Sequence, residues 1–199
     1  MLIDWPYRLA LILITGVHLT LSRRYLKAFK AGGTIFKKRA EGLPLSVALG
    51  VTYGAYSLVV LLYLINPNWM AWGAIPLAVP LRWLGAVIIA FGAWLHLWGM
   101  HHLGINLTIS ISTREGHQLV TSGPFARIRH PLYVGGMVES VGVCLLLANS
   151  AVAVCALAFW SLIVWRTPME EVALRETFGD AYDGYCQRAG RFVPRMRRG

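Results

Sequence analysis

The sequence HQLVTSGPFARIRHPLYVG, residues 117–135, is the segment around which the rest of the chain is organised. It combines turn-forming residues with two histidines, two arginines and two aromatic residues, and it lies between strongly apolar stretches. Gly123-Pro124 predicts a turn, and Pro131 disfavours helical geometry at His130, so we expect a new helix to begin there. A polar loop between membrane helices is a suitable place for a cofactor, although a plain connector has a similar composition.

The composition indicates an integral membrane protein. Of the 199 residues, 56% are hydrophobic and only 14% are charged, which is too little charge to cover the surface of a soluble domain of this size. The formal net charge of +10 could suggest nucleic acid as a partner. The basic residues fall in particular loops, however, and membrane topology explains them better, so we expect no nucleic-acid partner.

The apolar stretches predict an all-α membrane protein with five transmembrane helices. A bilayer core of about 30 Å needs roughly 20 helical residues. Three spans are expected at residues 5–21, 43–65 and 81–103, and a helical hairpin at 133–165 adds the last two. Residues 69–80 contain two prolines and predict an interfacial or re-entrant segment. Beyond the hairpin, we expect a cytosolic helix at 168–190 with a break near Gly179.

The distribution of basic residues predicts the orientation of these helices. Apart from Arg8 and Arg82, every lysine and arginine lies in residues 23–39, in residues 114–129 or after residue 165. Five crossings place those three regions on one face, which the positive-inside rule makes cytoplasmic. We therefore expect the C-terminus to face the cytoplasm, in the cytoplasmic membrane of a prokaryote.

Several motifs together resemble the isoprenylcysteine carboxyl methyltransferases and their bacterial relatives. They are residues 117–125, residues 129–135, Arg166, the motif Glu170-Glu171-x-x-Leu174 and the run Phe178-Gly179-x-x-Tyr182-x-x-Tyr185. The resemblance covers residues 103–194 in the order and spacing of the family. Membrane sterol reductases carry a similar Arg-His-Pro-x-Tyr-x-Gly run, but the Glu-Glu pair and the upstream His-x-Leu-Val favour the methyltransferases.

The resemblance implies S-adenosylmethionine as the cofactor and a lipophilic acceptor that arrives from the bilayer. It also divides the chain into N-terminal membrane helices, 1–104, and a methyltransferase region, 105–199, with its cofactor loop at 110–132. Arg166 falls on the acceptor-binding arginine of the family, and we assign catalytic roles to Arg166, Glu171 and Arg129. The residues expected to bind the cofactor are His117, Gln118, Leu119, Val120, Phe125, His130, Pro131, Leu132, Tyr133 and Glu170.

These residue types suit the chemistry. Aromatic faces favour a sulfonium, and a carboxylate such as Glu170 suits an ammonium group. Arg129 and Arg166 could hold an anionic acceptor through paired hydrogen bonds. A carboxylate acceptor needs no general base, so orientation and the exclusion of water should provide most of the acceleration. The alternative roles are ordinary ones, namely interfacial anchors for the arginines and a helix-dipole partner for the glutamates.

Glu139 departs from the family, which tends to have an apolar or aromatic residue there. An ionisable group within a span suggests a functional site, so Glu139 is assigned to the acceptor, although it could instead pair with a neighbouring helix. His96, His101 and His102 cluster near one helix end, but no acidic partner lies at ligand spacing, so we expect no metal.

Other functions remain open from the sequence. The family default is carboxyl O-methylation of a prenylcysteine-like acid, with phospholipid amine N-methylation and phenolic-lipid O-methylation as alternatives. Two further alternatives are an NADPH-dependent membrane reductase of the sterol type and a non-enzymatic, lipid-binding membrane protein. The sequence does not assign the oligomeric state.

Overall fold

The computed structural model describes residues 4–31, 42–104 and 118–195, with the backbone but not the side chains of residues 26–31. Within these ranges the chain is helical and contains no β-strand. Short 3₁₀ helices at Pro67–Gly73 and Gly123–Ala126 join the longer elements. The α-helices are α1 (Trp5–Ala31), α2 (Gly42–Ile65), α3 (Val79–Leu103), α4 (Pro131–Leu147), α5 (Ser150–Phe178) and α6 (Asp180–Arg188).

The long helices have the character of membrane helices. In the described part of the chain, α2, α3 and α5 are long and apolar enough to cross a bilayer, and α4 is a shorter apolar helix. Large apolar side chains face outward, including Leu43 at 74% exposure and Val51 at 64%. So much apolar surface would make a soluble protein aggregate, whereas lipid covers it at no cost. The all-helical, multi-pass membrane class expected from the sequence is thus supported, and the count of five spans stays a prediction.

Two helices are longer than the sequence suggested. Helix α1 continues past the predicted end of its span at Leu21 to Ala31. Helix α5 was expected to end at Trp165, with a separate helix from residue 168, but it is continuous through Pro168 to Phe178, and only the short α6 follows Gly179. The Thr167 hydroxyl donates to the Ile163 carbonyl at 2.7 Å, and buried side chains hold this turn in place. With 29 residues, α5 is about 43 Å long, so its charged end extends beyond a bilayer core of about 30 Å.

Helices α3 and α4 form the closest packed pair, because glycines face each other across it. A Cβ atom at Gly92 would lie 2.6 Å from the Glu139 backbone nitrogen, and one at Gly142 would lie 2.6 Å from the Gly85 carbonyl oxygen. Real side chains do not fit at such distances, so these glycines allow the two backbones to touch. Small residues at helix contacts are the usual means of close association in membranes. This pair fixes the position of everything that α3 and α4 carry.

The end of the bundle opposite the polar loop is held by specific polar contacts. Ala148 adopts the left-handed conformation that ends α4, and the Asn149 side chain caps α5 while its amide donates to the Met70 carbonyl at 2.8 Å. Arg82 donates to the Leu146 carbonyl at 3.0 Å and pairs with Asp4 at 2.7 Å. The segment at 69–80, expected to be interfacial or re-entrant, contains most of the first 3₁₀ helix and then the extended residues that lead into α3.

Candidate active site

A pocket lies where the C-terminal ends of α3 and α5 meet the start of α4, α6 and residues 118–125. Its empty volume, which includes the open mouth, is about 750 Å³. The lining is mainly apolar and aromatic with a few charged groups. It consists of Leu103, Gln118, Leu119, Val120, Phe125, Arg129, His130, Pro131, Leu132, Tyr133, Glu170, Leu174, Phe178, Tyr182 and Tyr185.

The structure brings the residues assigned to the cofactor around this one pocket. His117 lies outside the described residues, and all nine of the others line the pocket, together with Arg129. Sequence reasoning did not assign the lining residues Leu103, Leu174, Phe178, Tyr182 and Tyr185 to the site. Four of them belong to the motifs after Glu170 that carry the family resemblance, so a signal for them was present in the sequence.

Glu170 presents the pocket's carboxylate and is oriented by two neighbours. Tyr133 donates its hydroxyl hydrogen to Glu170 Oε2 at 2.6 Å, and Arg166 Nη1 donates to the Tyr133 oxygen at 2.6 Å. Arg166 Nη1 also lies 3.7 Å from Glu170 Oε2. Arg166 is buried beside the pocket rather than in its lining. The chain Arg166–Tyr133–Glu170 therefore fixes a negative charge at the pocket wall.

Glu171, the neighbouring residue, points away from the lining and into a cluster of basic side chains. It accepts hydrogen bonds from Arg129 at 2.8 and 3.0 Å and from Arg191 at 2.5 and 3.1 Å, with His130 Nε2 at 3.3 Å. Burial alone would raise the pKa of Glu171, but the hydrogen bonds from His130, Arg191 and Arg129 outweigh it and hold that pKa well below its ordinary value. Glu171 thus holds the wall of the pocket in place. A catalytic role, as assigned to it from the sequence, would require contact with a ligand, and Glu171 is not among the lining residues.

Arg129, which was assigned a catalytic role, has its guanidinium engaged by protein groups. Besides its two bonds to Glu171, Arg129 Nη1 donates to the Ala189 carbonyl at 2.6 Å. Its side chain lines the pocket but is only 12% exposed. The geometry gives Arg129 the task of joining α5 to the C-terminal segment.

The C-terminal segment pairs with the residues that lead into α4. Residues 127–130 and 190–191 run side by side, with the Arg129 amide donating to the Gly190 carbonyl at 2.8 Å and the Gly190 amide donating to the Arg127 carbonyl at 3.0 Å. The His130 ring stacks on Tyr133 with a centroid distance of 5.4 Å and an angle of 2° between the rings. These contacts give the pocket a wall of two parallel aromatic rings.

The α6 helix is joined to the polar loop by one tyrosine. The Tyr185 hydroxyl donates to the Phe125 carbonyl at 2.7 Å, and burial raises the pKa of Tyr185, which keeps this donor protonated. The contact holds Phe125, which is a lining residue of the pocket.

Glu139, assigned to the acceptor from the sequence, is not part of this lining. It lies within the bundle, where Oε2 is 3.0 Å from His18 Nδ1 on α1 and Oε1 is 3.5 Å from His96 Nδ1 on α3. The structure therefore supports the other interpretation of Glu139, a partner for neighbouring helices.

Fold and site together define a class, a multi-pass helical membrane protein with a small-molecule pocket built from helix ends around one oriented carboxylate. Residues 83–176 match the model of the isoprenylcysteine carboxyl methyltransferase family. The family resemblance inferred from the sequence motifs is thereby confirmed, and this part of the chain is similar to a family of membrane methyltransferases.

Individual relatives agree with the family match. The chain is 35% identical over 113 residues to protein-S-isoprenylcysteine O-methyltransferase B of Arabidopsis thaliana, covering 55% of this chain and 57% of the plant protein. It is 34% identical over 120 residues to protein-S-isoprenylcysteine O-methyltransferase of Homo sapiens, covering 57% of this chain and 42% of the human protein. The chain therefore spans about half the length of the curated relatives it matches.

A solved structure supports the fold. The chain resembles the eukaryotic intramembrane Ras methyltransferase, isoprenylcysteine carboxyl methyltransferase, with a TM-score of 0.53 at 24% identity, over 75% of this chain and 51% of that chain. At this level of identity the likeness shows a common arrangement of helices.

Proposed function

We propose that this protein transfers a methyl group from S-adenosylmethionine to a lipophilic acid in the membrane, with a prenylcysteine carboxylate as the acceptor class. The observation that carries the proposal is the pocket, because residues from both motif segments, 117–125 and 129–135, line it together with Glu170. The names of the matched relatives supply the acceptor class.

The residues of the pocket fit the groups that such a cofactor carries. Glu170 offers an ionised oxygen to an ammonium group, and its position is fixed by Tyr133 and Arg166. The rings of Phe125 and Tyr133 offer faces to a sulfonium cation, and the leucines of the lining suit an adenine ring. When bound, the cofactor supplies a methyl group that is already activated by the positive sulfur.

The protein's part in the reaction is then to position the acceptor and exclude water. An acceptor carboxylate oxygen forms a bond to the methyl carbon as the carbon–sulfur bond breaks, and the electron pair of that bond stays on sulfur. No proton moves, so no general base is needed. Orientation of the two partners within a dry site accounts for the acceleration.

The membrane topology follows from the same proposal. Five spans place residues 23–39, the polar loop and the C-terminus on one face, which we assign to the cytoplasm of a prokaryote because it carries nearly all the basic residues. The pocket lies at this face and the hairpin turn at Asn149 lies at the other. The lipid-soluble part of an acceptor then remains in the bilayer while its carboxylate reaches the pocket.

Calorimetric titration of the detergent-purified protein tests the proposal. S-adenosylmethionine and its demethylated product should bind and NADPH should not, and a farnesylated cysteine acid should accept a labelled methyl group when phosphatidylethanolamine does not. The variant Glu170→Gln should bind S-adenosylmethionine about 10- to 150-fold more weakly, while Glu176→Gln, which changes an exposed residue outside the pocket, should bind it like the parent. Binding of NADPH alone would place the protein among the reductases instead.

A further inference from the structure

Three side chains from three different helices converge inside the bundle, away from the pocket. They are His18 on α1, His96 on α3 and Glu139 on α4, and their ligand atoms all lie within 4.8 Å of one another. The two imidazole rings meet edge to face with a centroid distance of 5.1 Å. Both histidines direct Nδ1 toward the Glu139 carboxylate. The convergence is a property of the fold, because these residues are far apart in the sequence.

Ordinary hydrogen bonding satisfies this cluster only in part. Within the described residues, His18 Nε2 and Glu139 Oε1 are buried and have no hydrogen-bond partner. The three side chains are 12%, 30% and 19% exposed for His18, His96 and Glu139 respectively. A carboxylate within a membrane bundle is costly, so such residues are normally paired or functional. The cluster therefore needs a positive partner.

We propose that His18, His96 and Glu139 bind one divalent transition-metal ion, with zinc as the ion that the donors fit best. Zinc is held by imidazole nitrogen at about 2.0–2.1 Å and by carboxylate oxygen at about 2.0–2.2 Å. Tetrahedral geometry at those lengths puts ligand atoms about 3.3 Å apart. The nitrogen–oxygen separations are of that size, 3.0 Å from His18 Nδ1 to Glu139 Oε2 and 3.5 Å from His96 Nδ1 to the other carboxylate oxygen, Oε1. Imidazole donors disfavour magnesium and calcium.

The backbone around the cluster is packed so that two of the ligands are held in place. A Cβ atom at Gly92 would lie 2.8 Å from Glu139 Cγ, and one at Gly135 would lie 2.8 Å from the His96 backbone nitrogen. The close contact of α3 and α4 thus presents His96 and Glu139 to each other, and the ion adds His18 and joins α1 to this pair. Three protein ligands leave a fourth position for water.

The metal site is separate from the pocket, so it can be tested without relying on the proposed function. Glu139 lies six residues beyond Tyr133 on α4, about 9 Å along the helix axis. The full-length protein would be purified in detergent through a tag without histidine, stripped with a chelator and titrated with zinc alone. We expect one ion per chain, and thermal unfolding at a higher temperature with zinc than without it.

Variants show whether the ion binds at this cluster. Glu139→Gln and His18→Gln should weaken zinc binding by roughly 100-fold or more, because losing a residue that merely orients a ligand already costs about 10–100-fold. His101→Gln changes an exposed histidine on α3 outside the cluster and should bind zinc like the parent. If the cluster variants fail to fold, titration of the parent and of His101→Gln decides the matter. Failure of the parent to bind zinc, loss of binding in His101→Gln, or equal binding in a folded cluster variant would overturn the proposal.

Discussion

Glu170 and Glu171 are adjacent on α5, yet they make different contacts. Replacing each in turn by glutamine should therefore have different effects on stability and on cofactor binding. Glu171 receives five hydrogen-bonding contacts from Arg129, His130 and Arg191. In Glu171→Gln, the amide group carries no charge and turns a donor toward the guanidinium groups. Removing one partner of a buried ion pair costs about 3–5 kcal/mol, and since Arg191 is 43% exposed, we expect the lower end, about 3 kcal/mol.

Glu170→Gln should have the opposite consequences. The amide oxygen still accepts the Tyr133 hydrogen bond, and buried Arg166 keeps its own bond to the Tyr133 oxygen. Its contact with Glu170 is long, at 3.7 Å, so the stability change should be about 1 kcal/mol. Cofactor affinity should fall about 10- to 150-fold, which is the equivalent of losing a hydrogen bond to a charged group worth about 1.5–3 kcal/mol.

Thermal unfolding and calorimetric titration of the two purified variants check this pair of expectations. For a chain of this length, 3 kcal/mol corresponds to a decrease of about 6–12 °C in the unfolding temperature of Glu171→Gln. Glu170→Gln should unfold close to the parent and bind S-adenosylmethionine poorly. An unfolding temperature for Glu171→Gln equal to that of the parent would refute the reasoning, as would unchanged cofactor affinity in Glu170→Gln.

Three other predictions concern the fold. Gly92→Leu should abolish the α3–α4 contact and yield little folded protein by size-exclusion chromatography, whereas Gly50→Leu, where a Cβ meets nothing within 4 Å, should be tolerated. The pKa of Glu171 is depressed in the folded state, so its contribution to the stability of the protein should be complete above the unfolded pKa of about 4.3 and be lost progressively as the pH falls below that value. Unfolding curves of Glu171→Gln should lack this loss. Asn149→Ala should lower stability by about 1–2 kcal/mol through loss of the cap and the Met70 bond, while exposed Asn68→Ala should change it little in the same unfolding assay.

Hydropathy and turn residues predicted much of the helical architecture. Apolar runs gave the approximate positions of α2 and α3, and the hairpin of α4 and α5 was expected because Ala148-Asn149-Ser150 separates two apolar runs. The end of α5 was missed at Trp165. Polar composition signals departure from the bilayer, but a helix can leave the bilayer and continue in water, and Pro168 does not stop this one because buried side chains on both sides hold the turn.

The motif predicted which residues surround the pocket, but it did not predict what each of them contacts. Two adjacent glutamates look equivalent in a sequence, and only the helical rotation between them sends Glu170 to the lining and Glu171 to the basic cluster. The partner Arg191 lies in the C-terminal segment, and nothing local in the sequence connects it to Glu171. Pairings of this kind depend on how α5, α6 and the polar loop meet in space.

The same reasoning explains why a metal was not expected from the sequence. The histidines near the end of α3 had no acidic residue at ligand spacing, and spacing along one helix is the only such test that a sequence allows. In the fold, His96 obtains its acidic partner from α4, and His18 joins from α1. The glycines that bring α3 and α4 together are what make this possible, since any side chain at Gly92 would meet Glu139 first. The cluster therefore spans the close contact between α3 and α4, whose ends line the pocket through Leu103 and residues 131–133. The Glu139→Gln variant should unfold at a lower temperature than the parent in zinc, although no pocket residue is changed.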